Sequence, residues 1–353
     1  MRHVMPRAGR LRSVALAGAM LLLGACNEKA GGDAAAGEQA GGCDRDCLTS
    51  VVDRYLTAMV AHDPTRAPFA EGAKFTENTS PLSFTDGLWL TSTALDPYRV
   101  LIRDPETSQV AYVGIVREHG RPVLLAARFK APGGRITEVE TVVARDLKLM
   151  KNLQTPRAPI MQTLPQDQRV SRDKLVALAN AYFDGIERSD GKMIPFDAAC
   201  DRLENGLQTT NNPDLMAELA AAAGEGRQAS APTPLPPVNM ARPAPSGPRP
   251  APSPSDCTGQ IDSGTMSFIT SVRPRRGYVV DEETGTVFGL FMFNHRGAST
   301  DITRKDGTTM PDPFGGQPWS MQMAEFFKTR SGKIWLVEAI GTPLPFGARM
   351  GWE

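Results

Sequence analysis

The sequence has little of what several function classes require. Its 39 basic and 39 acidic residues give zero net charge, so no overall positive field is available to hold nucleic acid. It has four histidines, and the Cys43-x-x-x-Cys47 spacing has no nearby histidine to complete a metal site. Nucleophile-elbow, zinc-protease, phosphate-loop and dinucleotide motifs are missing. We therefore predict no metal, no cofactor and no nucleic-acid partner.

The N-terminus indicates export. Four arginines in the first 12 residues precede an apolar run, residues 14–23, that is too short to span a bilayer as a helix. Together with Leu-Gly-Ala-Cys ending at Cys26, this resembles a bacterial lipoprotein signal, which implies cleavage after residues 1–25 and lipidation of Cys26. A plain secretory signal with a chance cysteine is the alternative. In such lipoproteins, an aspartate directly after the lipidated cysteine is the signal for retention in the inner membrane. Residue 27 is Asn, so the resemblance favours the outer membrane. Residues 26–42, rich in glycine and alanine, predict a flexible tether.

Four cysteines remain after cleavage, an even number in a chain that meets an oxidising compartment. Three pairings are possible. Cys43 and Cys47 lie four apart at the start of a predicted helix, where their side chains share a face. We favour disulfides Cys43–Cys47 and Cys200–Cys257.

The chain contains an internal repeat. Residues 48–78 align without a gap on residues 175–205, at an offset of 127, with seven identities in 31 positions that include Tyr55/Tyr182. Apolar residues follow helical spacing in both segments. Further matches at offsets of 177 and 198 place insertions of 50 and 21 residues in the second copy. We predict a first domain over 43–150, a linker over 151–170 and a second domain over 171–353.

The two insertions differ in composition. Residues 225–256 hold ten of the 29 prolines, a composition that favours extended conformations and cannot form a core. This segment is predicted to be a disordered spacer, with a docking segment as the alternative. Residues 295–318 are rich in glycine, aspartate and threonine and predict a long hairpin loop, where binding residues often gather.

The residue pattern of each copy predicts a helix followed by a meander of strands. Runs rich in valine, isoleucine and aromatic residues alternate with turn residues. They cover residues 98–103, 109–117, 122–130 and 135–145, then 266–280, 286–294, 317–330 and 333–341. An antiparallel sheet with helices on one face, an α+β fold, buries the apolar stripe of each helix.

Residues 43–145 carry the patterns Cys-Asp-Arg-x-Cys-Leu, His-Asp-Pro, Thr-Glu-Asn and Gly-Leu-Trp. They resemble the nuclear transport factor 2-like superfamily, in a domain-of-unknown-function branch found in bacteria and fungi; residues 171–345 resemble it through the repeat. The resemblance implies two tandem cones, each a curved sheet around helices with a pocket at the wide end. Some superfamily members perform acid–base chemistry there, while others only bind or dimerise through their sheets.

The candidate catalytic residues are carboxylates, amides and one histidine, several of which recur in both copies. A carboxylate in an apolar cone has its pKa raised by desolvation, and an amide beside it can donate to an oxyanion. A salt-bridged glutamate and a turn-forming asparagine are the alternative for each pair. The candidates are Glu77, Asn78, Glu140, Glu204, Asn205, His295 and Glu338.

Trp89, Trp319, Trp335 and Arg145 are candidate ligand-binding residues, with a core position as the alternative for the tryptophans. His62 is a weaker catalytic candidate, because adjacent residues at a helix end, such as His62 and Asp63, seldom face each other.

These observations support two functions. In the first, a lipid-anchored protein binds a small organic or carbohydrate-derived molecule in a cone pocket, with lyase-, isomerase- or dehydratase-type catalysis by a lone carboxylate as an open question. In the second, the chain is a non-catalytic envelope lipoprotein that acts as an interaction or dimerisation module, with its sheets packed within one chain or in a homodimer. A cavity with a buried carboxylate would support the first, and an interior filled by apolar side chains the second.

Overall fold

A computed structural model of the protein describes residues 42–147, 150–218, 255–297, 299–312 and 314–352. The predicted signal, Cys26, almost all of the tether and the proline-rich insertion up to residue 254 lie outside the described residues.

The first module comprises residues 42–144 and contains one long helix. This helix is α1 (Arg45–Val60). Asp44 caps its N-terminus, because its side chain accepts a hydrogen bond from the Cys47 backbone N–H. A short helix α2 (Leu88–Thr91) follows later in the chain. The strands are β1 (Phe69–Glu77), β2 (Ser80–Pro81), β3 (Ser92–Asp104), β4 (Gln109–Glu118), β5 (Arg121–Lys130) and β6 (Ile136–Ala144).

The second module comprises residues 168–344 and repeats this plan. Its helices are α3 (Arg172–Arg188) and α4 (Cys257–Asp262). Its strands are β7 (Phe196–Glu204), β8 (Leu207–Gln208), β9 (Ser271–Asp281), β10 (Thr286–His295), β11 (Asp301–Thr303), β12 (Thr309–Pro311), β13 (Trp319–Arg330) and β14 (Lys333–Leu344). No helix in the described part of the chain is long and apolar enough to cross a membrane.

The two six-stranded sheets have the same topology. The strand order is β2-β1-β6-β5-β4-β3 in the first and β8-β7-β14-β13-β10-β9 in the second. Short 3₁₀ turns join the elements, at Pro64–Arg66, Pro132–Gly134, Met150–Leu153, Ala158–Met161, Gln166–Gln168 and Gly191–Met193. The segments that begin at Leu48 and Leu175 therefore occupy equivalent places, in α1 and α3.

The sheets are mixed rather than antiparallel as expected. β1 runs parallel to β6, and β7 runs parallel to β14. Neighbouring parallel strands need a long connection, and here the intervening strands provide it. Turn residues in the sequence predict which strands are joined as hairpins. They do not predict the parallel pairing of β1 with β6 or of β7 with β14. The predicted strand at residues 266–280 also starts later, at Ser271.

Both favoured disulfides are present. Cys43–Cys47 joins the residue before the cap of α1 to its first turn, and Cys200–Cys257 fastens α4 to β7.

Each sheet has two buried faces. One face packs against its own long helix and forms the interior of that module. The other face packs against the opposite sheet, so Val100, Val113 and Leu124 share an apolar cluster with Phe288, Leu290 and Phe326 of the second module. A void of about 10 Å³ beside Tyr98 is scarcely large enough for one water molecule. The contact between the sheets is therefore close-packed.

Two reciprocal ion pairs lie side by side at this contact. Arg45 of α1 donates two hydrogen bonds, both of 2.9 Å, to the buried carboxylate of Asp281 at the end of β9. Arg172 of α3 pairs in turn with the buried carboxylate of Asp104 at the end of β3. Both arginines are related by the offset of 127 and both aspartates by 177, so each pair is the counterpart of the other. This reciprocity is the signature of an isologous dimer interface, here formed within one chain.

The linker and the C-terminal tail also pack at this contact. Buried Lys328 donates to the Gln162 carbonyl of the linker at 2.6 Å, and burial lowers its pKa to about 8. The Trp352 indole N–H donates to the Thr76 hydroxyl at 3.0 Å, so the tail of the second module reaches the first.

We expect Arg45→Met to lower the free energy of unfolding by about 2–4 kcal/mol, because it leaves the Asp281 carboxylate buried without its cation. Arg172→Met should have a similar effect. The two effects should not add, because the pairs are neighbours: Asp104 accepts from the Val280 N–H and Asp281 from the Arg103 N–H. Urea unfolding measures both. The exposed Arg54→Met is the matched control; if all three variants unfold at one urea concentration, the ion pairs do not stabilise the contact.

Candidate functional site

The interior of the first module holds aromatic rings where we expected an open pocket. Tyr55 packs edge-on against Phe129 and Trp89, with ring centroids 4.8 and 5.1 Å apart, and Phe69 stacks on Phe84 at 3.8 Å. Trp89 is fully buried and its indole N–H donates to the Tyr55 hydroxyl at 2.8 Å. Trp89 is therefore a core residue.

Glu77 is buried but has structural partners. Its carboxylate accepts from the Leu88 backbone N–H at 2.7 Å, which caps α2, and Arg145 approaches it at 3.4 Å. Burial raises the pKa of Glu77 in spite of these two groups. Arg145 is bound more closely by Glu118, at 2.7 Å. This group fixes the corner where β1 and β6 end.

Asn78 and Asn205 have the same structural role in the two copies. Each has a positive φ, 48° and 45°, which asparagine tolerates better than most residues. The Asn78 side chain both accepts from and donates to the backbone of Val143, and Asn205 does the same with Gly341. Both amides therefore extend the parallel pairing by one step. Their recurrence marks a shared corner.

We expected Glu140 and Glu338 to line the interiors of the modules, but they do not. They lie on the faces where the sheets meet. Glu140 pairs with Arg276 of the second module, and Glu338 accepts from the Tyr98 hydroxyl of the first module at 2.8 Å. Residues of one strand alternate between faces, and the neighbours Val139 and Val337 take the interior positions. Both carboxylates thus hold the contact together.

The remaining predicted residues lie apart from one another. His295 ends β10, is buried, and lies 3.1 Å from Asp312, while Trp319 packs beside it with ring centroids 5.7 Å apart. Trp335 lies under the guanidinium of Arg330, 4.0 Å from the ring centroid. The His62 ring binds the Trp89 carbonyl at 2.6 Å and forms no dyad with Asp63, which caps the turn after α1.

The second module has a polar cluster in its interior that the sequence analysis did not single out. Glu325 of β13 is fully buried, and neither of its carboxyl oxygens has a hydrogen-bond partner in the structure. The buried Arg202 of β7 donates from Nε to the Tyr182 hydroxyl of α3 at 2.8 Å. Tyr182 and Arg202 lie close enough to Glu325 to affect its pKa, although neither is in hydrogen-bond geometry with it.

Glu204, a predicted catalytic residue, belongs to the edge of this cluster. Its carboxylate is 41% exposed and accepts from Arg202 at 2.7 Å. The other guanidinium N–H groups of Arg202 reach Thr209 and the Gln260 side chain of α4. Arg202 is thus held by four acceptors, and α4 covers it.

The first module lacks this cluster. Strand register equates Phe75 with Arg202 and Ala127 with Glu325, since Phe75 pairs with Val139 as Arg202 pairs with Val337. The tyrosine is common to both copies. Where the first copy has a bulky apolar side chain and a small one, the second has an arginine and a glutamate.

Burial is the largest influence on the Glu325 carboxyl and raises its pKa to about 8; the positive charge of Arg202 offsets part of that effect. A buried acid whose pKa lies near neutral pH can gain or lose a proton there. A buried carboxyl without a hydrogen bond also costs stability, which is typical of functional positions. Glu325, Arg202 and Tyr182 therefore form the candidate functional site.

The repeat contained the signal for this site. At the offset of 127, Phe75 aligns with Arg202 in the sequence, and at the offset of 198, Ala127 aligns with Glu325. The offsets identify the residues that recur, whereas this site lies where the two copies differ. No group of three or more histidine, cysteine or acidic side chains suited to a metal occurs among the described residues.

The family profile described as Domain of unknown function (DUF8021) matches residues 43–143 and 168–341. Because the match covers well over half of the sequence, in two segments, the chain belongs to this family as a tandem pair of its domains. No curated protein matches the chain.

Glu325→Gln should gain stability relative to the wild type as pH rises. The folded-state pKa of about 8 lies above the ordinary value of 4.5, so wild-type stability is lost between these pH values, by about 1.4 kcal/mol per unit at most. Glutamine cannot ionise and avoids this loss. Chemical unfolding at several pH values measures the difference. The exposed Glu71→Gln is the control; a pH-independent difference for Glu325→Gln would contradict the assignment.

Proposed function

We propose that the protein is an exported, lipid-anchored envelope protein whose second module binds a small organic or carbohydrate-derived molecule at Glu325, while the first module serves as its structural partner. The observation that carries this proposal is the exchange of Phe75 and Ala127 for Arg202 and Glu325 in the second copy. A core that only had to be stable would keep the apolar pair, because a buried carboxyl without a hydrogen bond is costly.

The occupied hydrogen bonds of the cluster indicate what kind of ligand fits. The Arg202 guanidinium already donates to four acceptors. It therefore offers a ligand its positive charge more than free N–H groups. Glu325 offers two oxygens without partners. A neutral ligand that donates a hydroxyl or an acidic C–H to Glu325 matches this arrangement, and a second anion does not. Proton transfer to and from Glu325 would give lyase- or isomerase-type chemistry without a cofactor.

We propose further that each module is a nuclear transport factor 2-like cone. A long helix packed on one face of a six-stranded mixed sheet supports this assignment, as does pairing through the opposite faces. The lipoprotein signal supports anchoring at Cys26, and Asn27 supports the outer membrane.

A non-catalytic interaction module is the second candidate. The aromatic filling of both interiors favours it: Phe183 packs against Phe291 in the second module with centroids 4.1 Å apart, and Tyr55 against Phe129 in the first. In this case the recognition surface lies outside the interiors.

The ligand hypothesis predicts a thermal shift. We expect at least one neutral hydroxylated or carbonyl compound from a metabolite collection to raise the melting temperature of the wild type, since binding stabilises the folded state. Glu325→Gln should abolish most of this shift, and the control Glu71→Gln should keep it. If Glu325→Gln retains the shift, Glu325 is not the site; if no compound produces one, the interaction module is the better proposal.

The anchor hypothesis is tested separately. In a bacterial host, the wild type should incorporate labelled fatty acid and fractionate with the outer membrane, because Cys26 carries the acyl chains. Cys26→Ser should lose the label, and Asn27→Asp should move the labelled protein to the inner membrane. A wild-type protein that is unlabelled and soluble in the periplasm would contradict this hypothesis.

A further inference from the structure

The second module carries an extra segment between β10 and β13. In the first module, the equivalent strands β4 and β5 are joined by the two residues His119 and Gly120. In the second, residues 296–318 intervene, and within them β11 (Asp301–Thr303) pairs with β12 (Thr309–Pro311) as a separate hairpin. The sheet closes without such a segment in one copy, so the segment is not required by the fold.

Buried side chains fix the base of this segment. His295 Nδ1 lies 2.6 Å from the Phe268 carbonyl oxygen, and Nε2 lies 3.1 Å from the Asp312 carboxylate. Asp312 also accepts from the Phe314 backbone N–H at 2.7 Å. Phe314 and Trp319 pack together with ring centroids 4.4 Å apart. The two ends of the segment are therefore held together, which gives a binding site a defined shape.

The two arms of the segment border an open surface cavity of about 310 Å³. Gly297 and Gly316 have positive φ values, and a Cβ atom on Gly316 would lie 2.8 Å from the Ser299 carbonyl oxygen. The arms thus approach backbone to backbone. The cavity is lined by Arg296, Gly297, Ser299, Thr300, Gly315, Gly316, Gln317 and Pro318. This volume is in the range of small-molecule sites.

The lining groups suit an oxygen-rich anion. Arg296 is the one charged side chain among them, is exposed, and makes no ion pair or hydrogen bond with the described residues. The others supply two hydroxyls, an amide and the backbone of three glycines. Asp312 faces His295, and Asp301 accepts from the Thr300 hydroxyl at 3.2 Å. A guanidinium recognises a carboxylate, and the neutral groups recognise hydroxyls.

We propose that this cavity binds a small hydroxylated carboxylate, of the sugar-acid class, with Arg296 holding its carboxylate. The site is separate from Glu325 and does not depend on the function proposed above.

Calorimetric titration of the purified protein with glucuronate, with glucose as the uncharged comparison, tests the proposal. We expect glucuronate to bind at least tenfold more tightly than glucose, and Arg296→Gln to weaken glucuronate binding at least tenfold. Arg349→Gln, an exposed arginine outside the cavity, should change it less than twofold, and so should Glu325→Gln.

Three results would overturn the proposal: no glucuronate binding at millimolar concentration, equal binding of glucuronate and glucose, or full binding by Arg296→Gln. Loss of binding in Glu325→Gln with retention in Arg296→Gln would place the sugar acid in the other site. The melting temperature of each variant, measured without ligand, separates a lost contact from a lost fold.

Discussion

Arg45 and Arg172 each leave their own module to neutralise an aspartate that is buried in the other. Because neither Asp104 nor Asp281 is accessible to water, the charges are balanced only when the two sheets lie face to face. Each aspartate also accepts a backbone N–H across the contact, from Val280 and Arg103 respectively. These paired contacts favour one register of the two sheets, and the linker, the tail, Glu140 and Glu338 add further contacts between the modules.

The sheet faces that pair the modules are separate from the two interiors. The first interior has Phe75 and Ala127 beside its tyrosine, and rings fill the space. The second has Arg202 and Glu325, and the positive charge of Arg202 offsets part of the cost of burying the acid. The hairpin insertion also occurs in this copy. Both departures from the shared plan thus lie in one module, which is where we place the ligand chemistry.

Much of the fold could be predicted from the sequence. Helical spacing gave α1 and α3, and turn residues bounded the hairpin strands, since these signals are local. The closing parallel pairs could not be predicted in this way, because β1 and β6 are separated in the sequence by the other strands of the sheet. The site was harder still: Glu140 and Glu338 share strands with apolar interior residues, and one residue of register decides which face a side chain takes. Glu325 carries no motif.

Joining the two copies covalently has a consequence that a pair of separate chains could not have. In a homodimer every substitution appears twice, so a costly acid in one interior is imposed on the other as well. A single gene that encodes both halves removes that penalty, and one half can specialise while its twin keeps the assembly stable. The tandem arrangement also makes the pairing of the two modules independent of protein concentration, because both belong to one chain.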